Sequence, residues 1–269
     1  MKIHKTHKSL LASAGILLVT LSQSQAHISY SGRNFGTFAG GEAPVIISNQ
    51  TVTGNFGWAD GTDADFGDSH KMRAFRFTLT STATVSLTVS GNAVGAGILG
   101  LNPGFTLYSG LAHLAPITNA PGSADHDFSN ISQDYLNGLG GPHEGAFNAL
   151  ATWRVGGDNQ AGPVFDYNAP DGLSTFAYIG HAVDGTAANY GNAPGIVGDG
   201  LLDGTVTGTF YNLAAGNYSI FIGGADYASQ LNSPVPTYGI SAIFMAVPEP
   251  STGLIALLGA TVLLRRKRN

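Results

Sequence analysis

The sequence predicts an all-β fold, a jelly-roll-like antiparallel β-sandwich with a long loop-rich insertion, and three observations carry that prediction. Apolar and polar residues alternate with period two in short segments between residues 27 and 246, clusters of Gly, Asn, Asp and Pro separate those segments, and no sustained helical period appears outside the two ends. Composition agrees. The 269 residues include 38 Gly, about twice the usual share, with 12 Pro, no Cys and 11% charged residues. Such a chain is not a coiled coil, a helical bundle or a disulfide scaffold, and 43% hydrophobic residues is too many for a disordered one.

In chain order, residues 1–26 come first. Lys2, Lys5 and Lys8 precede an apolar stretch from Leu10 to Leu21, and small residues Ser24 and Ala26 follow it. This is the order of a signal peptide cut by signal peptidase after Ala26. A helix over that stretch would span only about 18 Å of a hydrocarbon core about 30 Å thick, too short for an anchor. The mature chain then begins at His27.

Asp60, Asp63, Asp65 and Asp68 place four carboxylates in nine residues beside Trp58. Ca²⁺ takes six to eight oxygens from loops of this kind, so the segment is a candidate calcium site. It lacks the EF-hand spacing, and solvated Asp-Gly turns use the same residues. Strand candidates follow at Ala74–Leu79 and Ala83–Ser90. In the second, Val85, Leu87 and Val89 share one face and Thr84, Ser86 and Thr88 the other. Phe105–Tyr108, Ala149–Val155, Phe176–Ile179, Thr205–Tyr211, Tyr218–Ile222 and Ile240–Met245 complete the set. The insertion, about 112–203, carries Phe147, Trp153, Phe165, Tyr167, Phe176, Tyr178 and Tyr190, too many aromatics for a disordered loop, and is expected to fold onto the sandwich. Asp199-Gly200 and Asp203-Gly204 form a second, weaker cation candidate that a pair of Asp-Gly turns explains equally.

The runs Phe75–Leu87, Pro103–Tyr108 and Leu213–Gly224 are similar to bacterial pre-peptidase C-terminal domains, small jelly-roll-like sandwiches attached to secreted proteins. The similarity breaks off across the insertion.

The C-terminal end reads as turn, short apolar helix and basic stop. Pro248-Glu249-Pro250 precedes the apolar run 253–264, and Arg265, Arg266, Lys267 and Arg268 follow it. By the positive-inside rule the basic cluster stays in the cytoplasm and residues 27–246 lie outside the inner membrane. Residues 247–269 resemble the sorting signal of PEP-CTERM proteins, which an exosortase recognises and cleaves in Gram-negative bacteria that make exopolysaccharide. That resemblance implies a transient inner-membrane passage through helix 253–264, then a cell-surface or extracellular fate.

Between the two basic ends only Arg33, Lys71, Arg73, Arg76 and Arg154 oppose all 17 acidic residues, a balance of −12. So acidic a body disfavours nucleic acid and anionic lipid. The absence of Cys removes thiol chemistry and Cys-ligated zinc, and leaves the core to stabilise the exported domain.

Removal of the signal peptide would give His27 two nitrogen ligands, its α-amino group and its imidazole, which suits Cu(II) if a third comes from His113, His126, His143 or His181. That arrangement resembles the copper site of lytic polysaccharide monooxygenases; the alternative is an exposed terminal His. No Gly-x-Ser-x-Gly, His-Glu-x-x-His or P-loop occurs, and Glu42, Glu144 and Glu249 are the only glutamates. Trp58, Trp153, Tyr167 and Tyr190 suit either sugar stacking or core packing.

The expectation is therefore a non-enzymatic exported module of the cell envelope or matrix, without a cofactor unless Ca²⁺ binds. Its expected processing partners are signal peptidase and exosortase, and its expected ligand is extracellular polysaccharide or a second copy of itself. A secreted metal-dependent enzyme acting on polysaccharide, with His27 or the Asp60–Asp68 loop as its site, is the alternative. Adhesion by structure alone is a third reading.

Overall fold

The computed structural model describes residues 28–61, 66–112, 146–155, 174–193 and 195–249. Twelve strands run through them: β1 Asn34–Phe38, β2 Val45–Thr53, β3 Phe66–Asp68, β4 Arg73–Leu79, β5 Ala83–Asn92, β6 Pro103–Ser109, β7 Ala146–Asn148, β8 Trp153–Val155, β9 Ser174–Val183, β10 Thr205–Leu213, β11 Gly216–Gly224 and β12 Thr237–Pro248. The fold is all-β. A six-stranded sheet in the order β1-β4-β11-β6-β9-β8 packs on a four-stranded sheet in the order β10-β5-β12-β2, and β3 pairs with β7. One pair departs from the antiparallel pattern, since β1 runs parallel to β4.

The core between the sheets follows the period-two reading. Val85, Leu87 and Val89 of β5 point inward against Phe75, Phe77 and Leu79 of β4 and Ile220 and Ile222 of β11. Phe244 of β12 is the hub of this layer. Its ring centroid lies 5.1 Å from Phe35, 4.7 Å from Phe38 and 4.4 Å from Phe77.

The six-stranded sheet is buried on its other face as well. Trp58, Tyr108, Phe147, Trp153, Phe176 and Phe221 form a second, mostly aromatic cluster there. Trp153 stacks on Phe176 at 5.3 Å and meets Phe221 edge-on at 5.0 Å. Residues Pro103–Tyr108 are consequently buried without a break, as in a strand covered on both sides. The indole of Trp58 lies so close to Gly104 that a β-carbon there would come within 2.6 Å of the ring, so only glycine fits.

All eight expected strands lie in or overlap observed ones, although the 149–155 segment is strand only from Trp153. Within the stretch 112–203, the described strand β9 belongs to the larger sheet, paired with β6 at six positions. Strand β2 escapes the alternation test for a visible reason. Asn49 takes φ 61° and the register against β12 shifts between Ile240 and Ala242, so a bulge breaks its period.

Register also gives the sandwich two distinct ends. Leu79, Ala83, Leu213 and Pro248 collect at one, where the chain leaves β12. Asn92, Pro103, Val183, Thr205 and Gly224 collect at the other. We call these the exit end and the far end; the ten residues of β5 separate them by about 30 Å. Among the described residues no helix is long and apolar enough to cross a membrane. The expected signal peptide, residues 1–26, and the expected helix and basic stop, residues 253–268, lie outside the described residues.

Candidate functional site

Of the expected calcium loop, Asp60 and Asp68 are described, and Asp63 and Asp65 lie outside the described residues. Asp68 caps the 3-10 turn Ser69–Lys71, accepting from the His70 amide at 3.0 Å, from His70 Nδ1 at 3.1 Å and from Lys71 Nζ. Burial pushes the Asp68 carboxyl up, but the hydrogen bonds and charges of His70 and Lys71 outweigh it and hold the group below its ordinary value. This carboxylate is engaged in shaping the turn that starts β4. Among the described residues no group of three or more His, Asp or Glu side chains is placed to hold a metal ion.

His27, His113, His126 and His143 lie outside the described residues. His181 sits half-buried on β9, its Nδ1 2.7 Å from the Tyr178 hydroxyl and its ring 5.6 Å from Trp58. Burial lowers its pKa and so favours the neutral imidazole. Trp58 Nε1 donates to Thr106 Oγ1 at 2.8 Å, and Thr106 Oγ1 donates to the Ala149 carbonyl at 2.7 Å. Trp58 and Trp153 are 0% exposed and Tyr190 1%, so these rings are core and offer no face to a sugar; Tyr167 lies outside the described residues.

A concave site does form at the far end. A groove of about 400 Å³ opens between the loop Leu99–Asn102, the segment Leu202–Gly204, Asn55 and Asp226. Leu99 and Leu202 stand exposed and Leu101 is buried. Asn55 fixes one wall, donating to the Gly100 carbonyl at 3.1 Å and accepting from the Asn102 amide at 2.8 Å. The opposite wall hangs on Asp184. Its buried carboxylate accepts from the backbone of Asp203 at 3.1 Å and of Gly204 at 3.0 Å, and Asn102 donates to it at 3.0 Å when its amide is turned to face it.

Burial raises the Asp184 pKa, with the nearby carboxylates of Asp199 and Asp203 adding to the rise, against the two backbone bonds. Asp199 Oδ1 accepts from Leu201 at 3.0 Å and Asp203 Oδ1 from Thr205 at 3.0 Å. The second cation candidate is thus a pair of Asp-capped turns. On the groove itself, Asp203 and Asp226 each give one carboxylate oxygen to a backbone N–H, Asp226 to Ala228 at 3.0 Å, and no described residue bonds the other. The groove therefore joins two acceptors to an apolar floor, the pairing that suits a sugar's hydroxyls and its C–H face.

Sequence reasoning missed Asn55, Leu99, Leu101, Asn102, Asp184 and Asp226. Asp184-Gly185 was visible as an Asp-Gly turn signal; the others carry no local signal, because they meet only through strand pairing.

At the exit end, β12 runs into the first residues of the expected sorting signal. Pro248 pairs with Ala83 of β5, and Glu249 accepts from the Thr84 hydroxyl and from the Asn212 amide at 3.4 Å. Pro250 lies outside the described residues.

No family model matches the chain, and no curated protein does. Among solved structures, it is similar to CorA, a surface-associated copper-binding protein of Methylomicrobium album BG8, at 13% identity and a TM-score of 0.44, over 81% of this chain and 98% of that one. It is similar also to the secreted protein MopE of Methylococcus capsulatus, in which an oxidised tryptophan facilitates copper binding, at 14% identity and a TM-score of 0.39, over 79% of this chain and 86% of that one. At those scores the two likenesses do not bear on what this chain binds.

Proposed function

We propose that the chain is an exported, exosortase-sorted protein whose sandwich is displayed at the cell surface or in the matrix and holds extracellular polysaccharide, without catalysis, in the far-end groove. The observation that carries this reading is the polarity of the molecule. The chain leaves for its sorting motif at the exit end, while the groove and the Asp-bearing turns of residues 60, 68, 184, 199, 203 and 226 gather at the opposite end. A module tethered or released through its C-terminus would present that end outward. Carboxylate acceptors accept sugar hydroxyls, and a face of this charge favours neutral over anionic glycans.

The test is binding of the mature chain to a panel of neutral glucans and galactans by affinity electrophoresis, repeated for the double variant Asp203→Asn, Asp226→Asn and for Leu202→Ala. Retention by at least one glycan is expected, unchanged by EDTA, with affinity falling about 5-fold or more in the double variant. Retention that both variants leave intact would remove the groove from the reading. Product formation abolished by EDTA would favour a metal-dependent enzyme instead.

A further inference from the structure

The sorting reading treats Pro248-Glu249-Pro250 as a tag beyond the domain, yet the folded sandwich holds its first two residues by four separate contacts. Pro248 is the last residue of β12 and is paired with Ala83. The turn after β1 is shaped against it. Glu42 accepts from the Ala39 and Gly40 amides at 2.7 and 2.8 Å, and the Gly41 amide donates to the Ala246 carbonyl at 2.8 Å. Gly40, at φ 97°, then lies so near that a β-carbon on it would come within 2.7 Å of the Pro248 nitrogen. Glu249 is held from the other side by Thr84 and Asn212.

A processing enzyme needs its substrate extended and released from other partners, so cleavage next to a folded domain follows the population of a locally opened state. We propose that the sandwich is a latch on its own sorting motif: docking of Pro248 and Glu249 at the exit end withholds the motif from the processing enzyme until the end of β12 frays. The latch couples sorting to folding, since the motif docks only where β1, β5, β10 and β12 are already assembled, and it sets the rate at which a folded molecule is processed. This inference rests on the sorting reading above.

The experiment is a pulse-chase of the full chain in a Gram-negative host that makes an exosortase, with intact mass identifying the processed form. Thr84→Val keeps the strand preference and removes only the hydroxyl. Gly40→Ala disturbs the seat of Pro248. A third variant inserts Gly-Ser-Gly-Ser between Val247 and Pro248, leaving the sandwich complete and the motif undocked. Phe244→Leu loosens the core without touching the motif.

Tail removal is expected to be about 5-fold faster in Thr84→Val, the opening factor for one lost hydrogen bond of ordinary strength. It should be at least as fast in the insertion variant, faster than wild type in Gly40→Ala, and within about twofold of wild type in Phe244→Leu. Equal rates in wild type, Thr84→Val and the insertion variant would overturn the latch and leave sorting standing. A gain in Phe244→Leu matching that in Thr84→Val would also overturn it, by assigning the effect to global unfolding. A tail retained even in the insertion variant would refute the sorting reading, and the latch with it.

Discussion

Replacing Phe244 by alanine tests whether the sandwich is held where its aromatic hub places it. The side chain is 0% exposed and meets three rings from β1 and β4 at centroid distances of 4.4 to 5.1 Å. Truncating a buried Phe costs about 3–5 kcal/mol through lost transfer energy and the cavity left behind. Part of that is ring geometry, at about 0.5–1.5 kcal/mol per aromatic pair beyond area. Phe244→Leu keeps most of the volume and loses the ring pairs, so a cost of about 1–2 kcal/mol is expected. Met245 is the natural control, being the next residue on the same strand and 37% exposed; Met245→Ala should stay within about 0.5 kcal/mol. Equilibrium urea unfolding of residues 27–249 reads all three. With a slope of about 2–3 kcal/mol per molar, the Ala variant should lower the midpoint by about 1.5 M and the Leu variant by about 0.5 M. An Ala shift no larger than that of Met245→Ala would refute the packing of the two sheets around this ring.

Two further outcomes follow from the charged and titratable groups. His181 has a depressed pKa from burial, so the unfolded chain takes up its proton first; the stability this side chain contributes is complete above about pH 6.5 and is lost as pH falls toward and through the folded-state value. His181→Gln should flatten that part of the stability–pH curve in urea melts at pH 5 to 8, and an unchanged slope would place the histidine in water. Asp184→Ala removes two backbone bonds from a buried carboxylate and should cost about 2 kcal/mol while loosening the groove wall at Leu202–Gly204, whereas Asp184→Asn, which retains an acceptor, should cost less. Hydrogen exchange at Asp203 and Gly204 distinguishes the two, and equal protection in both variants would count against Asp184 as the anchor.

Much of the fold was legible because one buried face leaves a period of two. Val85, Leu87 and Val89 pointed to the core as expected, with Thr84, Ser86 and Thr88 outward. The same test fails where its premise fails. Strand β6 is found as a strand, but its second buried face leaves no alternation to read; β2 is broken by a bulge at Asn49, and β3 and β7 are three residues each, too short for any period. The aromatics illustrate a second limit. Trp58 and Trp153 carry identical composition whether they face a sugar or a core, and only the second cluster beneath the larger sheet decides that they are core. The candidate site was less legible still, for Asn55, Leu101, Asp203 and Asp226 are far apart in the chain and converge through the pairing of β11 with β6 and of β10 with β5.

Whatever depends on neighbours in the chain could be read from the sequence: strand periods and Asp-Gly turns. What the tertiary structure alone decided is whatever depends on which strands become neighbours. That includes the double burial of the six-stranded sheet, the groove at the far end, and the seat of Pro248 and Glu249 on Gly40, Thr84 and Asn212. The physical reason is that local preference fixes how a segment folds but not its partner, and the partner is chosen by burial and hydrogen bonding summed over the whole sheet.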